Sequence, residues 1–145
     1  MAYTIFISSD SRDKDLARDL SKRLEKAGVS VTTSASKVDN PRDDKSRIEN
    51  LRKADEVIFL LTSKSVRDEK ILFDLGIATS LEKRLAPIIQ GVKPKDLPDI
   101  IKGLEYIKYE DLERYISRLR RRVDEALKAL AKAQPKSGES SKSAA

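Results

Sequence analysis

The run E-V-I-F-L-L-T, Glu56 to Thr62, is apolar from Val57 to Leu61 and has the length of one strand. An uninterrupted run of this kind, without polar alternation, fits a central parallel strand covered on both faces. Shorter β-rich runs stand on either side, at Tyr3–Ser8, Val29–Thr33, Leu85–Gln90 and Glu105–Tyr109. The segments between them have helical texture. Asp13–Ala27 places Leu16, Leu20, Leu24 and Ala27 on one stripe, and Gly28 follows as the expected C′ residue. Lys45–Lys53 reads as a short helix with Ile48 and Leu51 inward, and Ser65–Glu82 as a longer one. Val92–Leu104, with Pro94, Pro98 and Gly103, reads as irregular with one helical turn. Leu112, Ile116, Leu119, Val123, Leu127 and Leu130 stripe a long final helix.

Five strands alternating with helices predict an α/β, flavodoxin-like three-layer sandwich: a five-stranded parallel sheet in the order 2-1-3-4-5 with helices on both faces. In that order the ends of strands one and three flank the crevice where ligands of such sheets bind. The loops there are Ser8–Arg12 and Thr62–Ser65, with the polar Ser34–Asp44 segment beside them. Residues 1–133 read as one domain. Gln134–Ala145 has no apolar residue larger than Ala and is expected to be a disordered tail.

Composition removes whole classes of chemistry. The 145 residues include no Cys and no His, which excludes thiolate chemistry, histidine general bases and the common zinc sites. No metal site is expected. The 30 cationic and 24 acidic residues interleave, with the surplus gathered mainly in Arg118, Arg120, Arg121 and Arg122. With 5% aromatic residues to stack on bases, this pattern argues against a nucleic-acid partner and for a solvated helix face. No apolar run approaches the length of a membrane span and no signal peptide opens the chain, so a cytoplasmic protein without a membrane partner is expected. A chain with only two Asn and two Gln, and 37% charged residues, also suggests a thermophilic source.

The turn after the first strand, S-S-D-S-R-D, has no glycine for a phosphate cradle, which argues against a Rossmann or P-loop site. Asp10 and Asp13 read there as caps of the first helix. A phosphoacceptor receiver would need an Asp after the third strand and a Lys after the fifth; Thr62-Ser63 and Tyr109-Glu110 stand there instead. One charge remains unexplained. Asp74 interrupts the apolar run I-L-F-D-L-G-I-A, residues 71–78. It could pair with Lys70 at the helix surface. It could instead stand at the rim of an apolar site, with Gly76 admitting a ligand or another backbone. A carboxylate so placed suits N-glycosidic cleavage, where it stabilises an oxocarbenium-like transition state or orients a ribose hydroxyl.

Three stretches together resemble the Toll/interleukin-1 receptor (TIR) domains of the prokaryotic type. These are F-I-S-S-D-S-R-D followed by a Leu-rich helix, Gly and strand; A-D-E-V-I-F-L-L-T-S-K-S-V; and I-L-F-D-L-G-I-A-T-S-L-E-K-R-L-A-P-I-I. The resemblance covers Tyr3 to about Tyr109. It implies self-association, or association with other TIR-like domains, through the loop after the second strand, here Asp39, Asn40, Pro41 and Arg42. It also implies an NAD-cleaving activity, with NAD as substrate and no cofactor, based on a Glu of the third helix in a Trp-x-x-x-Glu pattern. Lys70 stands at the Trp position and Asp74 at the Glu position. The crevice residues Ser8, Ser9, Ser63 and Lys70 would then contact substrate. Asp withdraws the carboxylate by about 1.5 Å relative to Glu, and a misplacement near 1 Å costs on the order of a hundredfold in rate. Nucleoside deoxyribosyltransferases and nucleotide N-glycosidases have a similar acidic-Leu-Gly-x-Ala helix and attack the same kind of bond. The expectation is therefore a self-associating module with a degenerate or weak NAD-cleaving site. The alternative is an NAD glycohydrolase or related N-glycosidase working through Asp74.

Overall fold

All seven residues of β3 (Glu56–Thr62) are buried, because the strand lies at the centre of the sheet with helices on both faces. The computed structural model describes residues 3–34 and 41–144, with side chains for 3–34 and 45–133. In chain order the elements are β1 (Thr4–Ser8), α1 (Lys14–Lys26), β2 (Ser30–Thr33), α2 (Pro41–Lys53), β3, α3 (Glu69–Ser80), β4 (Arg84–Gln90), α4 (Asp99–Lys102), β5 (Ile107–Lys108) and α5 (Leu112–Ala144). The sheet runs β2-β1-β3-β4-β5, and every pairing is parallel. This is the expected flavodoxin-like order.

Strand alternation divides the core in two. Ile5, Ile7, Ile58, Leu60 and Ile88 face one way and meet Leu20 and Leu24 of α1 and Ile116 and Leu119 of α5. Phe6, Val57, Phe59, Leu61 and Ile89 face the other way and meet Leu51 of α2, Ile71 and Leu75 of α3 and Ile101 of α4. Burying each such side chain contributes about 1.5–3 kcal/mol before entropy is counted. Gly28 closes α1 with φ 93°, the left-handed C′ conformation read from the sequence.

Several boundaries differ from the sequence reading, each for a local reason. The Ser34–Asp44 segment is not all loop: α2 starts at Pro41, so Pro41 and Arg42 lie in its first turn, where a missing proline N–H costs nothing. Asp39 and Asn40 lie outside the described residues. α3 starts at Glu69, not Ser65, because Asp68 is its cap and accepts from the Lys70 and Ile71 amides. β5 is only two residues long and pairs with Ile88 and Ile89 alone; its successor Tyr109 already begins a 3-10 turn and is buried, donating to Asp19 Oδ2 at 2.5 Å. Finally, the helical run of α5 extends from Leu112 to Ala144.

At the amino ends of the strands, Glu56 is fully buried yet charged. Arg122 of α5 grips it with a two-pronged bond, Nε to Oε1 and Nη2 to Oε2, both 2.9 Å. Tyr3 donates to Oε1 at 2.9 Å, and the Tyr115 hydroxyl donates to Oε2. The Arg122 guanidinium also lies over the Tyr115 ring, 5.6 Å from its centroid. One member of the arginine cluster is thus structural, which leaves Arg118, Arg120 and Arg121 exposed on α5.

This network makes the protein sensitive to alkali. Burial first, and then the Glu56 charge, push the Tyr3 phenol up to about 12 and the Tyr115 phenol well above its ordinary value. Folded values above the unfolded value of 10.0 mean stability that is complete below pH 10 and lost as pH rises through the folded values. The melting temperature is expected to fall above about pH 10. In Tyr115→Phe, which cannot ionise there, the fall should be shallower from a lower plateau. Calorimetry across this range checks it, and identical slopes would contradict it.

Candidate functional site

The helix α3 packs through Ile71, Asp74, Leu75 and Ala78, the i, i+3, i+4, i+7 stripe of an amphipathic helix. Asp74 therefore occupies a core position, 1% exposed, rather than an edge of the helix beside the exposed Lys70. Even-numbered residues of β1 face α3, so Ser8, the last residue of that strand and itself fully buried, meets the carboxylate. Ser8 Oγ donates to Asp74 Oδ2 at 2.7 Å. From the opposite side, Arg47 of α2 places Nε 3.3 Å from Oδ1. A buried carboxylate is tolerable only with such partners. The Ser8 hydroxyl thus hydrogen-bonds one carboxylate oxygen, and the Arg47 guanidinium forms an ion pair with the other.

Sequence reasoning missed Arg47, although a signal existed. Arg47 stands four residues before Leu51 and seven before Ala54, both buried, so it belongs to the inner face of α2. Gly76, by contrast, is exposed, and a Cβ there would meet nothing within 4 Å among the described residues. Among those residues it brings no other backbone to Asp74.

The loops around this point are tied together by hydroxyls and short acids. The Ser9 amide donates to Ser34 Oγ at 2.9 Å, and that hydroxyl donates to the Ser9 carbonyl at 3.2 Å, joining the ends of β1 and β2. Ser9 Oγ is buried, with no hydrogen-bond partner among the described residues. Asp10 caps the 3-10 turn before α1 by accepting from the Arg12 amide. Asp13 does not cap: its side chain turns inward and accepts from Thr62 Oγ1 at 2.9 Å and Ser65 Oγ at 2.6 Å. That clamps α1 to the loop after β3.

Ser63 is not brought to Asp74. It is exposed and lines a pocket of about 440 Å³ with Arg12, Lys64, Arg67, Asp68 and Asp96 among others. The Asp68 carboxyl is raised by its burial and then by the adjoining Asp10. Asp10 is held well below the usual carboxylate range, chiefly by Arg12. Among the described residues no helix is long and apolar enough to cross a membrane.

Residues 5–130 match the family model of the TIR domain. No curated protein sequence matches the chain. Among solved structures, a metazoan TIR-STING receptor from C. gigas, in complex with 2',3'-cGAMP, superposes with a TM-score of 0.65 at 20% identity over 81% of this chain. The chain spans 39% of that receptor's length. The TIR domain of the Toll-related receptor TRR-2 from Hydra magnipapillata gives 0.59 at 17% identity, covering 83% of this chain and 99% of its own. A CMP N-glycosidase of Clostridium botulinum gives 0.59 at 17% identity, covering 80% and 97%. At these identities the likenesses concern the fold.

Proposed function

Since the chain belongs to the TIR domain family, matched over residues 5–130, we propose that it is a TIR signalling module that works by associating with itself or with other TIR domains, its Asp74 site being closed. The observation behind this reading is the state of Asp74: 1% exposed, bonded to Ser8 and paired with Arg47. A substrate such as NAD would have to displace Arg47 to reach it. The outer face of the same helix favours association. Phe73 is 56% exposed, with Leu72 and Ile77 half-buried beside it, which gives α3 an apolar strip facing outward.

Sedimentation of the wild type over a wide concentration range tests this. The expected result is concentration-dependent oligomers that weaken in Phe73→Glu, whose side chain already faces solvent. A wild type that stays monomeric at the highest concentrations contradicts the proposal.

The second reading is an enzyme that cleaves an N-glycosidic bond, of NAD or of a nucleoside or nucleotide. It is favoured by the position of Asp74 beside the carboxyl end of β1, and by a fold shared with a CMP N-glycosidase and a 2-deoxyribosyltransferase. Asp74 would stabilise the developing positive charge of the sugar, once Arg47 had moved aside. Ser8 would orient the carboxylate.

A further inference from the structure

The pocket lined by Ser63 is separate from the Asp74 site: neither Asp74, Ser8 nor Arg47 lines it. It lies where the β1–α1, β3–α3 and β4–α4 connections meet, beyond the carboxyl ends of the strands. The strand order reverses between β1 and β3, and that is where open parallel sheets generally hold ligands. Its volume, about 440 Å³, falls in the range of small-molecule sites, roughly 300–1,000 Å³, and far exceeds what a bare anion fills.

The lining has a definite chemistry. Lys64 and Arg67 are exposed and form no ion pair with another described residue. Arg12 gives Nε and Nη2 to Asp10, which leaves Nη1 outside that pair. Asp68 Oδ1 is occupied in capping α3. Asp96, in the 3-10 turn after β4, is exposed and can accept from hydroxyls. Val66 and Val92 supply apolar wall. Gly91 holds the left-handed turn, φ 67°, that carries the chain from β4 to this wall.

We propose that this pocket binds a nucleoside monophosphate. Its phosphate sits against Lys64 and Arg67, its ribose hydroxyls donate to Asp96, and its base lies against Val66 and Val92. Two cations without an ion-pair partner among the described residues call for a phosphate-sized anion. The remaining volume, the apolar wall and the acceptor call for a nucleoside attached to it.

Calorimetric titration of the full chain with AMP, adenosine and inorganic phosphate tests the assignment. The proteins are wild type, Lys64→Ala/Arg67→Ala, and the control Arg120→Ala/Arg121→Ala on exposed α5 positions. The expected result is AMP binding that weakens by about tenfold or more in the Lys64/Arg67 variant. It should survive in the α5 control and exceed the binding of adenosine and of phosphate. Four results overturn the proposal: no AMP binding, equal binding in the Lys64/Arg67 variant, phosphate binding as tightly as AMP, or loss of AMP binding in the α5 control. Because the Asp74 reading is tested by association and by NAD cleavage, the two proposals fail separately.

Discussion

Replacing Glu56 by alanine is expected to lower the unfolding free energy by about 3–5 kcal/mol. The carboxylate is fully buried and accepts from Tyr3, Tyr115 and both prongs of Arg122. Its removal strands a half-buried guanidinium and a buried phenol, each without its acceptor, and leaves a cavity at the amino end of the central strand. The pair as a whole need not add much stability, because both charges were taken out of water to make it. A double variant, Glu56→Leu/Arg122→Leu, should therefore recover the part of the loss that comes from the stranded guanidinium. Chemical denaturation of Glu56→Leu, Arg122→Leu and the double closes the cycle. A Glu56→Ala cost below about 1 kcal/mol, the scale of an exposed ion pair, would show the network to be incidental.

Arg47→Ala carries the second large effect, a loss of about 2–3 kcal/mol. It leaves the Asp74 carboxylate, 1% exposed, without the guanidinium 3.3 Å away. Arg47→Ala combined with Asp74→Ala should be less destabilised than the sum of the two single changes, since neither charge is then stranded. Denaturant melts of the four proteins measure the coupling. Additive losses would mean that Arg47 packs beside Asp74 without holding it.

How much of this was legible in the sequence depends on the range of the interaction. The apolar run Val57–Leu61 announced its own burial, and with the alternating stripes it was enough for the strand order. Asp74 drew notice because a charge inside an apolar stripe is locally anomalous. Its partners did not, because Ser8 lies 66 positions away and Arg47 sits on a helix whose inner face looked complete with Ile48 and Leu51. Asp13 misled for a similar reason. A short acid before a helix is ordinarily a cap, and only the fold brings Thr62 and Ser65 within its reach. Arg122 looked like one of four surface cations until the sheet placed Glu56 beneath it. Ser63 and Ser8 looked alike as crevice hydroxyls, yet strand alternation turns Ser8 toward α3, while Ser63 follows the end of β3 and lines the other pocket.

Asp74 is buried and held by Ser8 and Arg47. The most direct test is nicotinamide release from NAD, followed chromatographically at high protein concentration, for wild type, Asp74→Ala and Asp74→Glu. No release from wild type is predicted, because the carboxylate is buried, hydrogen-bonded to Ser8 and ion-paired with Arg47. Release from wild type that disappears in Asp74→Ala would contradict the closed site and establish an N-glycosidase that uses an aspartate.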